Sequence, residues 1–262
     1  MESLNKKLEA FGRLLEIMDT LRVQCPWDRK QTFDSLRANT IEEVFELSDA
    51  VENKDFQSIK EELGDVLLHI VFYSKMGDEE GKFDIADVCN AISDKMVFRH
   101  PHIYGKVKAD TAEDVLNNWE KIKQKEKNGE KTVLGGVPRS LPSMIKAYRI
   151  QDKARHVGFD WEKREDVWAK VREEINELEK EMATGNHEKI ENEFGDVMFS
   201  LINAARLYDI NPDNALEHTN RKFISRFNYV EAHAKESGKT LETMTLSEMD
   251  ELWNKAKSIE KL

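Results

Sequence analysis

Chain breakers and cysteines are scarce in this 262-residue chain, which has twelve glycines, five prolines and two cysteines. So few breakers among many Glu, Lys, Leu and Ala residues favour long amphipathic helices over sheet and exclude a small all-β domain. Cys25 and Cys89 are far apart and lie in no metal-ligand spacing, which excludes a disulfide framework and predicts a reduced, cytoplasmic setting. The longest apolar stretch, Val66 to Tyr73, is too short to span a bilayer. No apolar leader follows Met1, so export is not expected. A Gly-x-x-x-x-Gly-Lys-Ser/Thr loop is also missing, which excludes a P-loop nucleotidase. Finally, positive charge is in deficit. The formal net charge of -11 argues against nucleic acid or an anionic membrane as partner, though not against a small polyanion held through a metal.

What is present is charge and helical periodicity, with 35% charged and 39% hydrophobic residues, which suits helices that each bury one stripe. The length suggests one or two domains. Leu4, Leu8, Phe11, Leu14, Leu15, Met18 and Leu21 recur at three- and four-residue steps, predicting a first helix that Pro26 ends. Further helices are predicted over about 34–52 and 56–76, separated by the polar break at 53–55. The second of these places Ile59, Leu63, Val66, Leu67, Ile70 and Val71 on its inner face. Helices are also expected at about 84–99 and 111–127. The densest Gly/Pro cluster follows, from Gly129 to Pro142, and reads as a linker. The predicted organisation is a first unit over 1–128, a linker over 129–142 and a second unit over 143–262.

The second unit repeats the first. At an offset of 131, Glu43-Val44-Phe45-Glu46 meets Glu174-Ile175-Asn176-Glu177, and Glu62-Leu63-Gly64-Asp65-Val66 meets Glu193-Phe194-Gly195-Asp196-Val197. Acidic residues are so common here that four acidic matches at some offset would arise by chance on the order of one time in ten. The repeat is instead carried by the shared Gly-Asp-Val, by Ile59 with Ile190, by Lys95 and Arg99 with Lys222 and Arg226, and by Trp119 with Trp253.

Each half thus reads Glu-x-x-Glu, fifteen residues, Glu-x-x-Asp. Positions i and i+3 share a helix face, and a gap of that length lets two antiparallel helices point both pairs at each other. Four carboxylates between two helices are a recurring divalent-metal site, and all-oxygen ligands favour Mg²⁺, with Mn²⁺ possible. Asp65 and Asp196 border apolar stretches, where a carboxylate is costly unless paired or metal-bound. Gly64 and Gly195 sit mid-helix at a cost of about 1 kcal/mol each, which predicts close helix approach or room for a ligand. Lys222 and Arg226, four apart on one helix face, suit a substrate with several phosphates. Trp119 and Trp253 fit core packing as well as base stacking. His100 and His102 occur in one half only and read as loop structure.

These residues resemble the MazG family of nucleoside triphosphate pyrophosphohydrolases in its two-repeat form. The resemblance rests on Cys25-Pro26-Trp27-Asp28, Glu42-Glu43-Val44-Phe45-Glu46, Glu61-Glu62-Leu63-Gly64-Asp65, Arg99-His100-Pro101-His102 and the Pro138…Leu141-Pro142 linker. In the second half it rests on Val157-Gly158-Phe159-Asp160-Trp161, Glu173-Glu174…Glu177, Glu193…Asp196 and Asn220-Arg221-Lys222-Phe223. It implies an all-α, dimeric, Mg²⁺-dependent enzyme that hydrolyses nucleoside triphosphates to monophosphate and pyrophosphate with broad base tolerance, in nucleotide-pool housecleaning.

On that resemblance Glu174, Glu177, Glu193 and Asp196 form the catalytic metal site, with Glu43, Glu46, Glu62 and Asp65 as its counterpart. Lys189, Asn220, Lys222, Arg226 and Trp253 serve the substrate, and Lys95 and Arg99 are the first repeat's phosphate-binding candidates. Lys189 and Asn220 align with Ser58 and Ser93, so the second repeat is expected to carry most turnover. A narrower dCTP/dUTP-type or phosphoribosyl-ATP pyrophosphohydrolase fits less well, since those relatives resemble one repeat. A non-catalytic nucleotide-sensing or partner-binding module would not need all four carboxylates in both halves.

Overall fold

A computed structural model of the chain describes residues 2–109, 111, 114–115, 118–119, 122 and 132–259. Among them every regular element is helical, and no helix is long and apolar enough to cross a membrane. The chain falls into two compact units, Met1–Trp119 and Glu120–Leu262.

In the first unit, α1 (Glu2–Gln24) leads through a 3₁₀ turn at Asp28–Lys30 into the hairpin of α2 (Phe33–Asn53) and α3 (Phe56–Glu79). There follow α4 (Ile85–Arg99) and the one-turn α5 (Pro101–Tyr104). In the second unit, α6 (Ser143–Arg155) and a 3₁₀ turn at Arg164–Asp166 precede the hairpin of α7 (Val167–Thr184) and α8 (His187–Leu207). Then come α9 (Pro212–Glu236) and α10 (Leu246–Ile259). The helix expected over 111–127 lies mostly outside the described residues. From 132 to 142 the Gly/Pro segment is turns and bends.

Both hairpins are built by the same local chemistry. Asp55 caps α3 by accepting the amides of Gln57 and Ser58, and Asn186, at the same offset of 131, caps α8 by accepting from Lys189 N. The residue before each cap turns the chain with a left-handed conformation, Lys54 at φ 56° and Gly185 at φ 70°. A connection this short forces the helices antiparallel and in contact. The first unit's core is Met18, Leu36, Val71, Phe72 and Met76, with Phe11, Leu14 and Leu15 of α1 packed on it. In the second, Val167, Val171 and Ala204 form a smaller core with Leu207 and Tyr208.

Two expectations are met only in part. Of the expected inner face of α3, Val71 is buried and Ile59 and Val66 are half-buried, but Leu63, Leu67 and Ile70 are exposed, and Phe72 and Met76 are buried instead. α3 is apolar on two faces, and the α1–α2 side covers only one of them. Gly64 and Gly195 do not mark close helix approach within a unit, because a Cβ added at either meets nothing within 4 Å. Of the two readings of these glycines, room remains.

The left-handed turn residues differ in cost, because Lys carries a Cβ that crowds its carbonyl there and Gly does not. Lys54→Gly is therefore expected to stabilise the first unit by about 0.5–1 kcal/mol, and Gly185→Ala to destabilise the second by about 1 kcal/mol. Denaturant midpoints of the two variants check both signs.

Candidate metal centre

α2 with α3, and α7 with α8, each bring acidic side chains together across the hairpin. Carboxylate oxygens of Glu43, Glu62 and Asp65 lie within 4.8 Å of one another, as do those of Glu174, Glu177 and Glu193. The fourth expected member stands just outside each set. Asp196 raises the pKa of Glu193, and Glu46 does so for Glu62, so both remain within electrostatic reach.

Electrostatics mark both clusters as under-neutralised. Partial burial, then the charges of Glu177, Asp196, Glu174 and Glu181, push the Glu193 carboxyl above its ordinary value. Burial, then Glu46, Asp65, Glu43 and Glu61, does the same for Glu62. Glu43 is raised by burial, then by Asp65, Glu46 and Glu42. Glu193 Oε2 is buried with no hydrogen-bond donor. A buried carboxylate oxygen without a donor, close to other carboxylates, is a group that a cation could satisfy.

The expected burial is placed differently. Asp65 and Asp196 are exposed, so the cost of burying them next to an apolar stripe does not arise. The buried member is Glu174, at 7% exposure. Its partner is Lys170, whose Nζ lies 2.7 Å from Glu174 and 2.9 Å from Glu173, pairs that hold the Lys170 ammonium well above its usual range. Lys170 was not anticipated, although its i, i+4 spacing to Glu174 was a readable signal.

The remaining expected residues are held by separate local contacts. Lys222 is exposed on α9. Arg226 lies over the Trp253 ring at 5.6 Å, and Trp253 packs against Phe223 at 5.0 Å. Arg99 repeats this over Trp119 at 5.9 Å and is buried, while Lys95 is exposed. Lys189 pairs with Glu181 at 3.6 Å, and Asn220 Nδ2 donates to Glu217. Their first-repeat counterparts are occupied locally: Ser58 Oγ donates to Asp55 and Ser93 Oγ to the Cys89 carbonyl. Neither acidic group of the described residues contains a histidine. His100 Nδ1 contacts the Met96 carbonyl oxygen, and the His100 ring meets Trp119 edge-on.

Beside the second cluster lies a feature that periodicity could not show. A cavity of about 630 Å³ opens next to Glu174 and Asp196, lined by apolar and polar side chains alike, with Phe159, Trp161 and Phe199 among those that make its surface mainly apolar. Its loop wall is clamped by an ion pair, with Arg206 Nη1 donating to Asp160 at 3.0 Å and Arg206 Nε to Asn203 at 3.1 Å. Burial pushes the Asp160 carboxyl up, but the hydrogen bonds from Arg206 and from Trp161 N outweigh it and leave the carboxyl below its usual range.

Helical hairpins that each converge carboxylates, repeated in tandem, define an all-α protein with two carboxylate-cluster candidate metal sites. The chain matches the MazG nucleotide pyrophosphohydrolase domain over residues 31–104 and again over 162–231, and it belongs to that family. It is 40% identical over 257 residues to the nucleoside triphosphate pyrophosphohydrolase of Escherichia coli K12, covering 95% of this chain and 98% of that one. It is likewise 40% identical to the nucleoside triphosphate pyrophosphohydrolase/pyrophosphatase MazG of Thermotoga maritima, over 94% of this chain and 95% of that one. An uncharacterised Bacillus subtilis protein, YabN, is 49% identical over 90% of this chain, which spans 49% of its length.

The raised Glu193 carboxyl gives a signed prediction. A carboxyl raised on folding contributes stability that is whole below the unfolded value of about 4.3 and is lost as pH rises through the raised value. In chelator, Glu193→Gln should therefore unfold at a higher temperature than the wild type, by a margin that grows between acidic and neutral pH. Added Mg²⁺ should raise the wild-type midpoint by more than that of the variant, which keeps only the first unit's cluster intact. Thermal unfolding at several pH values, with and without Mg²⁺, reads both effects.

Proposed function

We propose that this protein hydrolyses nucleoside triphosphates to the monophosphate and pyrophosphate, water attacking the α-phosphorus as the bond to the bridging α–β oxygen breaks. The observation that carries the reading is the triad Glu174, Glu177 and Glu193 with an orphaned buried oxygen, in a chain whose full-length relatives carry that activity in their names. Those three and Asp196 would hold Mg²⁺, which supplies charge neutralisation between the carboxylates and the phosphates. Lys189, Lys222 and Arg226 would bind the charge that develops on the pyrophosphate leaving group, and Asn220 would orient a phosphate or the water. The expected role is nucleotide-pool housecleaning.

The second repeat is read as the main catalytic one. At the same offset, Ser200 and Asn203, which line its cavity, correspond to His69 and Phe72 of the first repeat. There Phe72 belongs to the core, and His69 is buried with its Nδ1 2.6 Å from Thr40 Oγ1, which also meets the Tyr73 hydroxyl at 2.7 Å. The first repeat thus keeps a carboxylate cluster but fills with bulky side chains the positions that line a cavity in the second. A homodimer is also proposed. Phe194, Met198 and Leu201 project from α8 largely exposed, an apolar face that a second copy would cover.

Pyrophosphate release measured across the common ribo- and deoxyribonucleoside triphosphates with Mg²⁺ tests the activity, and release from none of them sinks it. Glu193→Ala is expected to lower kcat/KM by more than about 100-fold, since even outer-shell partners of a metal site cost 10- to 100-fold. Glu62→Ala should cost less. If Glu62→Ala is the more damaging, the assignment of the repeats is reversed.

A further inference from the structure

Lys189 stands four residues before Glu193 on α8, the spacing at which Lys170 pairs with Glu174 on α7 at 2.7 Å. Lys189 takes a different partner. Its Nζ turns back across the α7–α8 turn to Glu181 Oε2 at 3.6 Å, and Glu193 Oε2 is left buried without a hydrogen bond. A lysine resting on Glu193 would fill with its own charge a carboxylate that is read above as a metal ligand.

The turn between the helices holds this arrangement. Thr184 Oγ1 lies 2.7 Å from the Glu181 carbonyl oxygen and 3.3 Å from Glu181 Oε2, and it accepts from Asn186 N at 3.2 Å. Asn186 Oδ1 in turn accepts from Lys189 N at 3.3 Å, so the contacts run Glu181–Thr184–Asn186–Lys189 and close through the ion pair. The Glu181 side chain is 25% exposed and that of Lys189 60%, which makes the carboxylate the fixed member and the ammonium the movable one. Their separation exceeds hydrogen-bond length, and pairs this exposed are weak. Lys189 is therefore placed without being locked, and an arriving phosphate can take it up. The place is beside the cluster, because Glu181 is among the charges that raise the Glu193 carboxyl.

The first repeat has neither member of the pair. At the offset of 131, Glu181 and Lys189 correspond to Ala50 and Ser58. Ala50 is buried, and Ser58 Oγ donates at 2.8 Å to its own helix cap, Asp55. Both charges are present in one repeat and both are missing from the other, which fits a pair that works as a unit.

We infer that Glu181 is a positioning residue for Lys189, drawing the ammonium off Glu193 and holding it beside the carboxylate cluster until a substrate phosphate arrives. The inference rests on the proposed hydrolysis and on Lys189 as a phosphate-binding residue; Glu181 acts only through Lys189.

The test measures pyrophosphate release from ATP with Mg²⁺ for Glu181→Gln, Glu181→Asp, Lys189→Met and the double variant Glu181→Gln/Lys189→Met. Glu181→Gln keeps the shape and removes the charge, and should lower kcat/KM about three- to fivefold. Glu181→Asp keeps the charge and should stay within about twofold of the wild type. With Lys189 already replaced, Glu181→Gln should cost nothing further. A charge acting directly on the metal cluster, or a purely structural role, would cost the same in both backgrounds. Thermal unfolding without nucleotide supplies a second readout. The Mg²⁺-induced rise in midpoint should shrink in Glu181→Gln, where Lys189 falls back on Glu193, and the double variant should match Lys189→Met. Glu181→Gln equal to the wild type in either measurement overturns the inference. So does a loss that persists without Lys189, or Glu181→Asp as impaired as Glu181→Gln. No turnover of any nucleoside triphosphate by the wild type is instead a failure of the hydrolase reading, and the unfolding comparison then decides the role of Glu181 by itself.

Discussion

Repulsion between like charges is the constraint around which each hairpin is organised. Three carboxylates within 4.8 Å of one another oppose folding unless something neutralises them, and the protein builds this arrangement twice. Rigid backbone is what makes it tolerable. Asp55 and Asn186 cap the returning helices, and the left-handed turns at Lys54 and Gly185 leave the two strokes of each hairpin no freedom to splay. The fold thus brings its acids close enough for their charges to oppose one another, an arrangement that a bound cation would relieve.

The two copies answer this constraint with different interiors. In the first, α1 lays Phe11, Leu14, Leu15 and Met18 into the hairpin, and Phe72 and Met76 close the core behind them. In the second, α6 presents Gln151 instead, the core shrinks to Val167, Val171 and Ala204, and the space released is the cavity. Apolar burial and an open apolar cavity compete for the same volume, so a repeat with the larger core has less room for a ligand. The Arg206–Asp160 pair ties the loop at 158–161 to α8.

Periodicity and spacing made the hairpins and the carboxylate clusters legible, because both depend on residues close in sequence. Glu43 meets Glu62 across a two-residue turn, and a helical period suffices to face them. The same period could not say which of the two apolar faces of α3 is covered, since Leu67 and Phe72 are both strongly hydrophobic and only the packing of α1 and α2 separates them. Nor could it reveal the cavity, whose walls come from α6, the 158–161 loop, α7 and α8. Gln151 gave no signal as an isolated polar residue on an amphipathic helix. In the structure it is buried, with its Nε2 donating to the Phe199 carbonyl.

The acidic surplus takes its meaning from this division. The first 131 residues hold 27 acids and 20 bases, and the remainder 24 and 20, so the surplus is spread over both copies rather than gathered at one site. At physiological ionic strength charges beyond about 8 Å are largely screened, so the net charge repels an approaching polyanion only weakly. What governs binding is the few ångströms around Glu174, Glu177 and Glu193, where a triphosphate and the carboxylates exclude each other unless a cation stands between them. A cavity walled by Phe159, Trp161 and Phe199 carries no such conflict, and at its edge a satisfied Asp160–Arg206 pair contributes no net charge. The charge that a cation would balance is therefore confined to the carboxylate cluster, which the mainly apolar cavity adjoins through Glu174 and Asp196.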